Sequence, residues 1–544
     1  MPEVCINNCN MAATLDGRNA NLQGDNGLSS FELTPPRELS NTLISQNALC
    51  CPPVTAVYLP PKAAHQQSFN IDDVLKIESV LFSPEQAKEA KAGLNNLIDG
   101  ISRKLESEDI RGLDTVGKVQ RVFRAIEESG LKPCSGVRCL SDVFVAGTDS
   151  TGKIDCDTSA LMVLALAEKY GWKDVGMVVI PGHAFIRVGE KNVEYVGVKD
   201  DSFYRNAYGL RDEWVPHALK GKEVLALSHW VVAANSSSQN PDQIIEICNA
   251  GLQLRKEESW LCYERGRAQL EKGKFKQAIS DFSSCLQFNA DERHDLDDAL
   301  AYQGRGIAYS SSGRDKKALS DYSEAIKLYE RMAKLYLEKA KLAPHDYMLF
   351  SAEHYLDEAA YCFAAKGELH RARYEINNFK KNEDAANQDL KEMEVCANWL
   401  KSRGTKLMEE DKNSKAVECF SKALAINAGD TELYLSRAEA NMALGKSKEA
   451  ADDASRVVEW ARESNENRAQ AHCLRGLVRM EMKDYSGAIG DYTDALKLSP
   501  NNAEAYYCRG LAKVATGDRD GATVDYKKAL ELDPELKDFE NYLE

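Results

Sequence analysis

Residues 488–492 read Ala-Ile-Gly-Asp-Tyr, and 34 positions later residues 522–526 read Ala-Thr-Val-Asp-Tyr. In both copies a glycine precedes the alanine by twelve residues, at Gly476 and at Gly510. Self-similarity at a fixed period of this size is typical of solenoids, whose repeats bury their apolar faces against one another. The C-terminal half is therefore predicted to be an all-α repeat array. The same spacing begins upstream at Gly266, Gly306 and Gly404.

This pattern resembles the tetratricopeptide repeat (TPR), a pair of helices about 34 residues long. The resemblance implies that the small residues let the two helices approach closely, while the aromatic residue fills the gap between neighbouring repeats. Pro500 and Pro534 stand where the family ends its second helix. We count seven repeats and predict a TPR solenoid over residues 257–540. We interpret two further pairs of alanines at the same twelve-residue spacing as degenerate repeats, namely Ala438 with Ala450 and Ala360 with Ala372.

Composition excludes several classes of partner. The chain has 544 residues and a formal net charge of −16, so neither nucleic acid nor an anionic membrane is a predicted partner. No run of about 18 apolar residues predicts a membrane span, and the N-terminus has no signal-peptide pattern. Most of the 15 cysteines stand singly, which is typical of a reducing cytoplasm. No cofactor or metal is predicted, because Cys5, Cys9 and the Cys50-Cys51 pair lack ligands at zinc-site spacing.

The chain is predicted to be multi-domain, because 544 residues exceed what one core supports. Residues 1–70 combine Asn, Gly, Ser and Pro without a helical or strand period, which predicts a disordered segment. Residues 71–233 show helical spacing and then short β-branched runs separated by turns, which predicts an α+β domain. Residues 234–256 are interpreted as a linker and a leading helix.

A candidate nucleophile lies inside the α+β domain. Cys156, between Asp155 and Asp157, begins an apolar helical run, and His183 follows a predicted strand and a Pro-Gly turn. A helix N-terminus lowers the pKa of a thiol and offers N–H groups to an oxyanion. A cysteine on a helix beside a histidine on a sheet suits a nucleophile and its base. However, the flanking carboxylates oppose ionisation, and such a cysteine is often a core residue. The spacing alone leaves both interpretations open.

Three stretches resemble the transglutaminase-like family of papain-fold domains: Asp-Cys-Asp-Thr-Ser-Ala-Leu at 155–161, Ala-Leu-Ala-Glu-Lys-Tyr-Gly at 165–171, and Pro-Gly-His-Ala-Phe-Ile-Arg at 181–187. The resemblance implies a papain-like α+β fold with Cys156 as nucleophile and His183 as general base. It also implies an acid on the next strand, where Glu194 is the candidate. The sequence departs from the family at the acid, because Val193 replaces tryptophan and Val196-Gly197 replaces the threonines.

The register of the strand after His183 decides whether Glu194 suits the role of the acid. A turn at residues 190–191 would place Glu194 opposite Arg187, as half of an ordinary cross-strand ion pair. A turn shifted toward residue 189 would bring Glu194 within diagonal reach of His183. The alternative acids are Asp200 and Asp201.

TPR arrays present the first helix of each pair along a concave groove that holds extended peptides or helices. A protein or peptide ligand in that groove is therefore the predicted partner. Co-chaperone members of the family carry a clamp of lysine, arginine and asparagine for a C-terminal carboxylate, and no contiguous clamp is present here. The acidity of the chain favours a neutral or basic ligand, although a solvated acidic outer face explains it equally well. The residues at the clamp positions are Tyr263, Arg267, Gln303, Ile307, Lys401, Thr405, Leu435, Glu439, Tyr507 and Leu511.

The leading hypothesis from sequence is a cytoplasmic thiol-dependent acyl-transfer enzyme (peptidase, amidase or transamidase) that the TPR array targets to partners. The alternative is an inactive transglutaminase-like scaffold that acts with the repeats as an interaction adaptor, which the altered acid motif around Glu194 favours. A third hypothesis, an effector delivered into another cell, fits residues 1–70 no better than an ordinary tail does. The sequence leaves the choice between enzyme and adaptor open.

Overall fold

The computed structural model describes residues 69–133, 140–145, 153–154, 156–180, 183–194, 197–203, 218–234, 240–288, 295–342, 352–461, 464–534 and 536. These residues form two compact units, one over residues 69–332 and one over residues 333–342 and 352–536. Apart from residues 69 and 70, the segment predicted to be disordered lies outside the described residues, and so does the stretch 235–239 of the predicted linker. No helix in these ranges is long and apolar enough to cross a bilayer.

The first unit combines helices with a small sheet. Strands β3 (Val175–Ile180), β4 (His183–Val188), β5 (Lys191–Glu194) and β6 (Gly197–Lys199) form an antiparallel meander in that order. Two short strands, β1 (Lys132–Pro133) and β2 (Lys153–Ile154), pair in parallel. The helices are α1 (Ile71–Glu78), α2 (Pro84–Ser107), α3 (Thr115–Glu127), α4 (Cys156–Lys169), α5 (Lys222–Ala234), α6 (Pro241–Leu254), α7 (Ser259–Glu271), α8 (Phe275–Phe288), α9 (Asp295–Ser311) and α10 (Asp315–Leu342), whose residues 333–342 belong to the second unit.

Local sequence explains where several of these helices begin. Ser83 caps α2 in a reciprocal capping box with Gln86, and Pro84 occupies the first helical position, where its missing N–H costs nothing. The side chain of Asp114 accepts a hydrogen bond from Gly117 N at the start of α3. Each cap satisfies a backbone donor that the helix itself leaves unpaired.

One hydrophobic core joins the sheet to the first repeat helix. Buried Val193 of β5, Leu225 of α5 and Leu261 of α7 all belong to the same cluster. The rings of Trp230 in α5 and Trp260 in α7 meet edge to face, with centroids 5.3 Å apart. Apolar packing therefore runs continuously across the predicted linker, from the α+β part into the repeats of this unit. The domain boundaries proposed from the sequence stay a prediction.

The second unit is helical throughout its described residues. Its helices pair with their sequence neighbours in antiparallel fashion, as TPR units do. Pro500 and Pro534 each follow the end of a second helix by two residues, as predicted. The helices are α11 (Ala352–Phe379), α12 (Glu383–Glu409), α13 (Asn413–Ile426), α14 (Thr431–Ala443), α15 (Ser447–Trp460), α16 (Asn465–Glu481), α17 (Tyr485–Leu498), α18 (Ala503–Thr516) and α19 (Arg519–Leu532).

The repeating glycines are sites of close helix approach. A Cβ atom added at Gly476 would lie 2.8 Å from the ring of Tyr492 on the paired helix. At Gly404 the corresponding distance to the ring of Phe420 would be 2.5 Å. These separations are too short for any side chain, so the aromatic ring rests directly on the backbone of the first helix. The role predicted for the small residues is thus confirmed. The aromatic residue packs on the first helix of its own repeat, and Phe282 also reaches the next repeat, because a Cβ atom added at Gly304 would lie 2.6 Å from its ring.

A ladder of ion pairs accompanies this packing. An arginine one residue before the glycine position binds an aspartate sixteen residues later, on the second helix of the same repeat. In α18, Arg509 Nη2 and Nε donate to the two carboxylate oxygens of Asp525 at 2.6 and 2.8 Å. Such two-point pairing fixes the register of the two helices. The five pairs are Arg265–Asp281, Arg305–Asp321, Arg437–Asp453, Arg475–Asp491 and Arg509–Asp525.

The same spacing corrects the assignment of the third repeat. Ala360 and Ala372 both lie within α11, so no turn separates them, and the interpretation of this pair as a degenerate repeat is wrong. Arg373 Nε instead lies 3.4 Å from Asp389 Oδ1, at the ladder spacing. The third repeat therefore pairs the second half of α11 with the first half of α12. The second half of α12 then serves as the first helix of the fourth repeat, so that seven helix pairs are present in the described residues.

Candidate functional site

The predicted nucleophile lies at the junction of a helix and the sheet. Cys156 is the first residue of α4, is half-buried, and accepts a hydrogen bond at its sulfur from Ala184 N at 3.4 Å. Backbone N–H groups of a strand point along the sheet, so the sulfur lies at the edge of β4 rather than over a face of the sheet. The structure thus brings Cys156 beside the residue that follows His183.

His183 begins β4, as the sequence predicts. It pairs with Ile180, the last residue of β3. The imidazole lies outside the described part of the structure, so the predicted contact between Cys156 and the His183 ring stays a prediction. The hydrogen bond from Ala184 N places the thiol beside the backbone of the residue that follows His183 in β4.

The strand register favours one of the two alternatives for Glu194. Val188 pairs with Lys191, so the turn occupies residues 189–190 and Glu194 is not opposite Arg187. Continuing this register places Glu194 opposite Phe185, two residues after His183. Glu194 is half-buried and diagonal to His183 along the backbone. Its role as the acid remains a prediction.

The carboxylates of the two alternative acids, Asp200 and Asp201, accept hydrogen bonds from nearby residues. Asp201 Oδ1 accepts from Arg187 Nη1 and from Asn192 Nδ2, each at 2.7 Å. Asp200 accepts from Ser202 Oγ at 2.6 Å and from Phe203 N, so it caps a short turn. Both residues stay predictions as alternative acids.

Two buried polar arrangements near this site escape sequence analysis. Asn192, fully buried, accepts from Arg187 Nη1 at 2.6 Å, which with Asp201 closes a three-residue cluster on the sheet. Glu78, also buried, accepts from Leu140 N at 3.0 Å and from Ser141 N at 2.8 Å, and thereby holds the segment 140–145 upstream of Cys156. No local motif marks either set, because the partners are brought together only by tertiary folding.

Most cysteines of the repeats are core side chains, as the sequence predicts. Burial raises the pKa of Cys262 to about 12 and that of Cys419 to about 11. Ionisation of these thiols is disfavoured because a charge would be desolvated. Cys156 differs from them in being half-buried with an N–H donor on its sulfur. Burial likewise raises the pKa of Cys248, Cys285 and Cys362.

A second candidate site is the surface formed by the first helices of the last three repeats, which we call the first-helix face. In each helix it comprises the residues five before, two before and two after the ladder arginine. Gln470 Nε2 on α16 donates to Glu439 Oε1 on α14 at 3.2 Å, so neighbouring first helices lie side by side. Its members are Glu432, Leu435, Glu439, Gln470, Cys473, Leu477, Glu504, Tyr507 and Leu511.

The first-helix face is apolar along its middle and acidic at its sides. Cys473, Leu477 and Leu511 are half-buried and pack on one cluster. Burial raises the pKa of Glu439 and of Glu504 above the usual range. Glu504 is half-buried, whereas the side chain of Glu439 is exposed to solvent.

The fold and the ladder define a class, the helical-repeat proteins, and comparison with known families identifies the repeat. Residues 476–517 match the family model described as TPR repeat, and residues 503–536 match the model described as tetratricopeptide repeat. The chain therefore carries tetratricopeptide repeats, as predicted.

Three similar proteins illustrate the extent of the likeness. Dynein axonemal assembly factor 4 of Mus musculus is 32% identical over 116 residues, which is 21% of this chain and 28% of that protein. Hsp70-Hsp90 organizing protein of Triticum aestivum is 24% identical over 255 residues, 44% of this chain and 40% of that protein. The solved first TPR domain of Spaghetti (RPAP3), bound to the HSP90 peptide SRMEEVD, is 28% identical and covers 22% of this chain and 93% of its own, with a TM-score of 0.21. The chain thus spans less than half the length of the assembly factor and of the organizing protein.

Proposed function

We propose that this protein is a TPR adaptor that binds segments of other proteins on the first-helix face. The observation that carries the proposal is the array of paired helices, whose first helices line up to present a partly apolar surface. Stacked repeats bury their cores against each other and leave such a surface available for extended ligands. Two proteins similar in sequence are named as a dynein axonemal assembly factor and as an Hsp70-Hsp90 organizing protein, which supports the proposal.

The clamp for a C-terminal carboxylate is no part of the proposal. At the first-helix face the equivalent residues of α14, α16 and α18 are leucine, cysteine, tyrosine and glutamate rather than lysine, arginine or asparagine. Carboxylate capture needs charge-assisted donors. We also propose a cytoplasmic location, and its only support is that most cysteines stand singly, as is typical of a reducing compartment.

An unbiased selection of displayed peptides on the full chain tests the adaptor function. The first variant carries Leu477→Glu and Leu511→Glu, both on the first-helix face. The control carries Val524→Glu, which changes a side chain that is 67% exposed on the second helix α19. Selected peptides should bind the control as they bind the wild type and should lose affinity for the double variant. Selected peptides that bind all three proteins equally would refute the adaptor function at this face.

We propose thiol-dependent acyl transfer as a second function, because Ala184 N donates to Cys156 Sγ at the start of α4. An N–H donor and a helix N-terminus both stabilise a thiolate. In the proposed reaction His183 takes the proton of Cys156, and the sulfur attacks an amide carbonyl. N–H groups at the start of α4 hold the oxyanion, and the amine leaves with the proton from His183. Water or a second amine then cleaves the thioester. The resemblance of residues 155–187 to transglutaminase-like domains supports this assignment.

Thiol reactivity tests the second function. Iodoacetamide at neutral pH should alkylate Cys156 well before the buried cysteines Cys262 and Cys419, because ionised sulfur is the reactive form. His183→Ala should abolish the preference, whereas Glu194→Gln should reduce it if Glu194 is the acid. Labelling of Cys156 that does not depend on His183 would remove the enzyme proposal and leave the adaptor untouched.

A further inference from the structure

The first-helix face has a charge pattern that constrains its ligand. Among its members are three glutamates, Glu432, Glu439 and Glu504, and no lysine or arginine. Lys401 of the preceding repeat ion-pairs with Glu432. Glu439 receives one hydrogen bond from the neutral amide of Gln470. The negative charge of this surface is therefore only partly compensated by its own side chains.

The apolar members occupy the centre of the same surface. Cys473 and Leu477 lie on α16 and Leu511 on the neighbouring α18, and all three pack on a cluster that includes the buried Tyr507. Half-buried aliphatic groups at equivalent positions of adjacent helices offer a stripe that a ligand can cover. Glu439 lies on α14 and Glu504 lies on α18, the two first helices on either side of α16.

From this arrangement we infer that the first-helix face binds a basic amphipathic segment of a partner protein, with aliphatic side chains over Leu477 and Leu511 and lysines or arginines beside Glu439 and Glu504. The inference rests on the proposed adaptor function and specifies its ligand. Charge complementarity selects against acidic ligands by like-charge repulsion and speeds encounter with basic ones. Glu504 is half-buried and Glu439 is exposed, so a cationic side chain of the ligand can reach both carboxylates.

Three capped fluorescent dodecapeptides test the inference by anisotropy on the full chain. The first repeats Leu-Lys-Lys, the second Leu-Glu-Glu and the third Ser-Lys-Lys. The Leu-Lys-Lys peptide should bind tightest, because the second peptide lacks the charge and the third lacks the apolar groups. Its affinity should fall about tenfold in the double variant Glu439→Gln and Glu504→Gln, since two ion pairs are lost.

The matched control changes two glutamates on second helices, Glu449→Gln on α15 and Glu531→Gln on α19, and should bind as the wild type does. Equal affinity for the lysine and glutamate peptides, equal affinity of the two double variants, or no binding of the Leu-Lys-Lys peptide would each overturn the inference. The outcome for the adaptor function can be distinguished from the outcome for the basic ligand. If displayed peptides without basic residues bind and still depend on Leu477, the adaptor stands and only the basic ligand is wrong.

Discussion

Arg403 is a ladder arginine whose aspartate has been replaced, because Cys419 stands sixteen residues after it in the fourth repeat. Arg403 is 6% exposed, and its Nε and Nη2 have no hydrogen-bond acceptor in the described part of the chain. The nearest carboxylate is that of Asp357, 3.6 Å from Nη2, and it also binds Lys415. In five other repeats the same two nitrogens bind an aspartate. A guanidinium cannot lose its charge, so this one is under-compensated.

Restoring the ladder should stabilise the fourth repeat. Cys419→Asp places a carboxylate where Arg403 can bind it, and we expect a gain of about 1 kcal/mol in the free energy of unfolding. Urea unfolding followed by circular dichroism measures the change. Cys419→Ser, which adds no charge, serves as the control and should give no such gain. A lower unfolding midpoint for the aspartate variant would show that Asp357 already satisfies Arg403.

Breaking an intact pair should have the opposite effect. Asp525→Asn leaves Arg509 with a neutral partner in a buried setting, and we expect a loss of about 2 kcal/mol. The exposed Asp494, which pairs with Lys497 at the surface, provides the control. Asp494→Asn should change the unfolding midpoint very little, because surface ion pairs contribute little. Equal changes in the unfolding midpoint for both substitutions would show that the buried arginine–aspartate pairs do not stabilise the fold.

Two glutamates of α11 should respond to pH with opposite signs. Burial raises the pKa of Glu368 to about 7, so its folded form holds a proton that the unfolded form has lost, and stability declines as pH rises from about 4.5 to 7. Hydrogen bonds from Lys412 and Lys415 lower the pKa of Glu353 to about 2, so its contribution is present above about pH 4.5 and declines below it.

Chemical unfolding at several pH values checks both signs. Glu368→Gln should be more stable than the wild type at pH values above about 7 and similar to it near pH 4.5. Glu353→Gln should be less stable than the wild type at neutral pH, with the difference narrowing as the pH falls below about 4.5. A pH-independent effect of either substitution would contradict the assigned cause.

The pair Trp230 and Trp260 should couple the sheet to the first repeat. Trp260→Ala removes an aromatic contact from α7, and we expect faster amide hydrogen exchange in α5, which carries the partner ring. A double-mutant cycle with Trp230→Ala should return a coupling of about 1 kcal/mol. Additive effects of the two substitutions would indicate that the two helices are stabilised independently.

Much of the repeat architecture is readable from the sequence, because its cause is local. A glycine and an aromatic residue at a fixed spacing report that a ring rests on a bare backbone, as at Gly476 and Tyr492. The glycine–aromatic spacing does not identify the third repeat, because Tyr374 occupies its glycine position. Two alanines of α11, Ala360 and Ala372, have the twelve-residue spacing by chance. The arginine–aspartate interval, present at Arg373 and Asp389, is the signal that finds it.

The sheet region was less predictable because its contacts are not local. The sequence predicts Cys156 at a helix start and His183 at a strand start, and both positions are observed. Two registers are compatible with the sequence, because moving a two-residue turn by one position shifts the residue opposite Glu194 by two, from Arg187 to Phe185. The sequence offers Asp201 as an acid, and only folding shows that Arg187 and Asn192 occupy that carboxylate.

Site-specific photo-crosslinking tests the adaptor account most directly. A photoreactive phenylalanine analogue at position 477 probes the first-helix face, and the same analogue at position 524 probes the exposed side of α19. We predict adducts with partner proteins from position 477 and none from position 524. Adducts from position 524 alone, or none from either position while the chain is shown to be bound in complexes, would contradict the central claim.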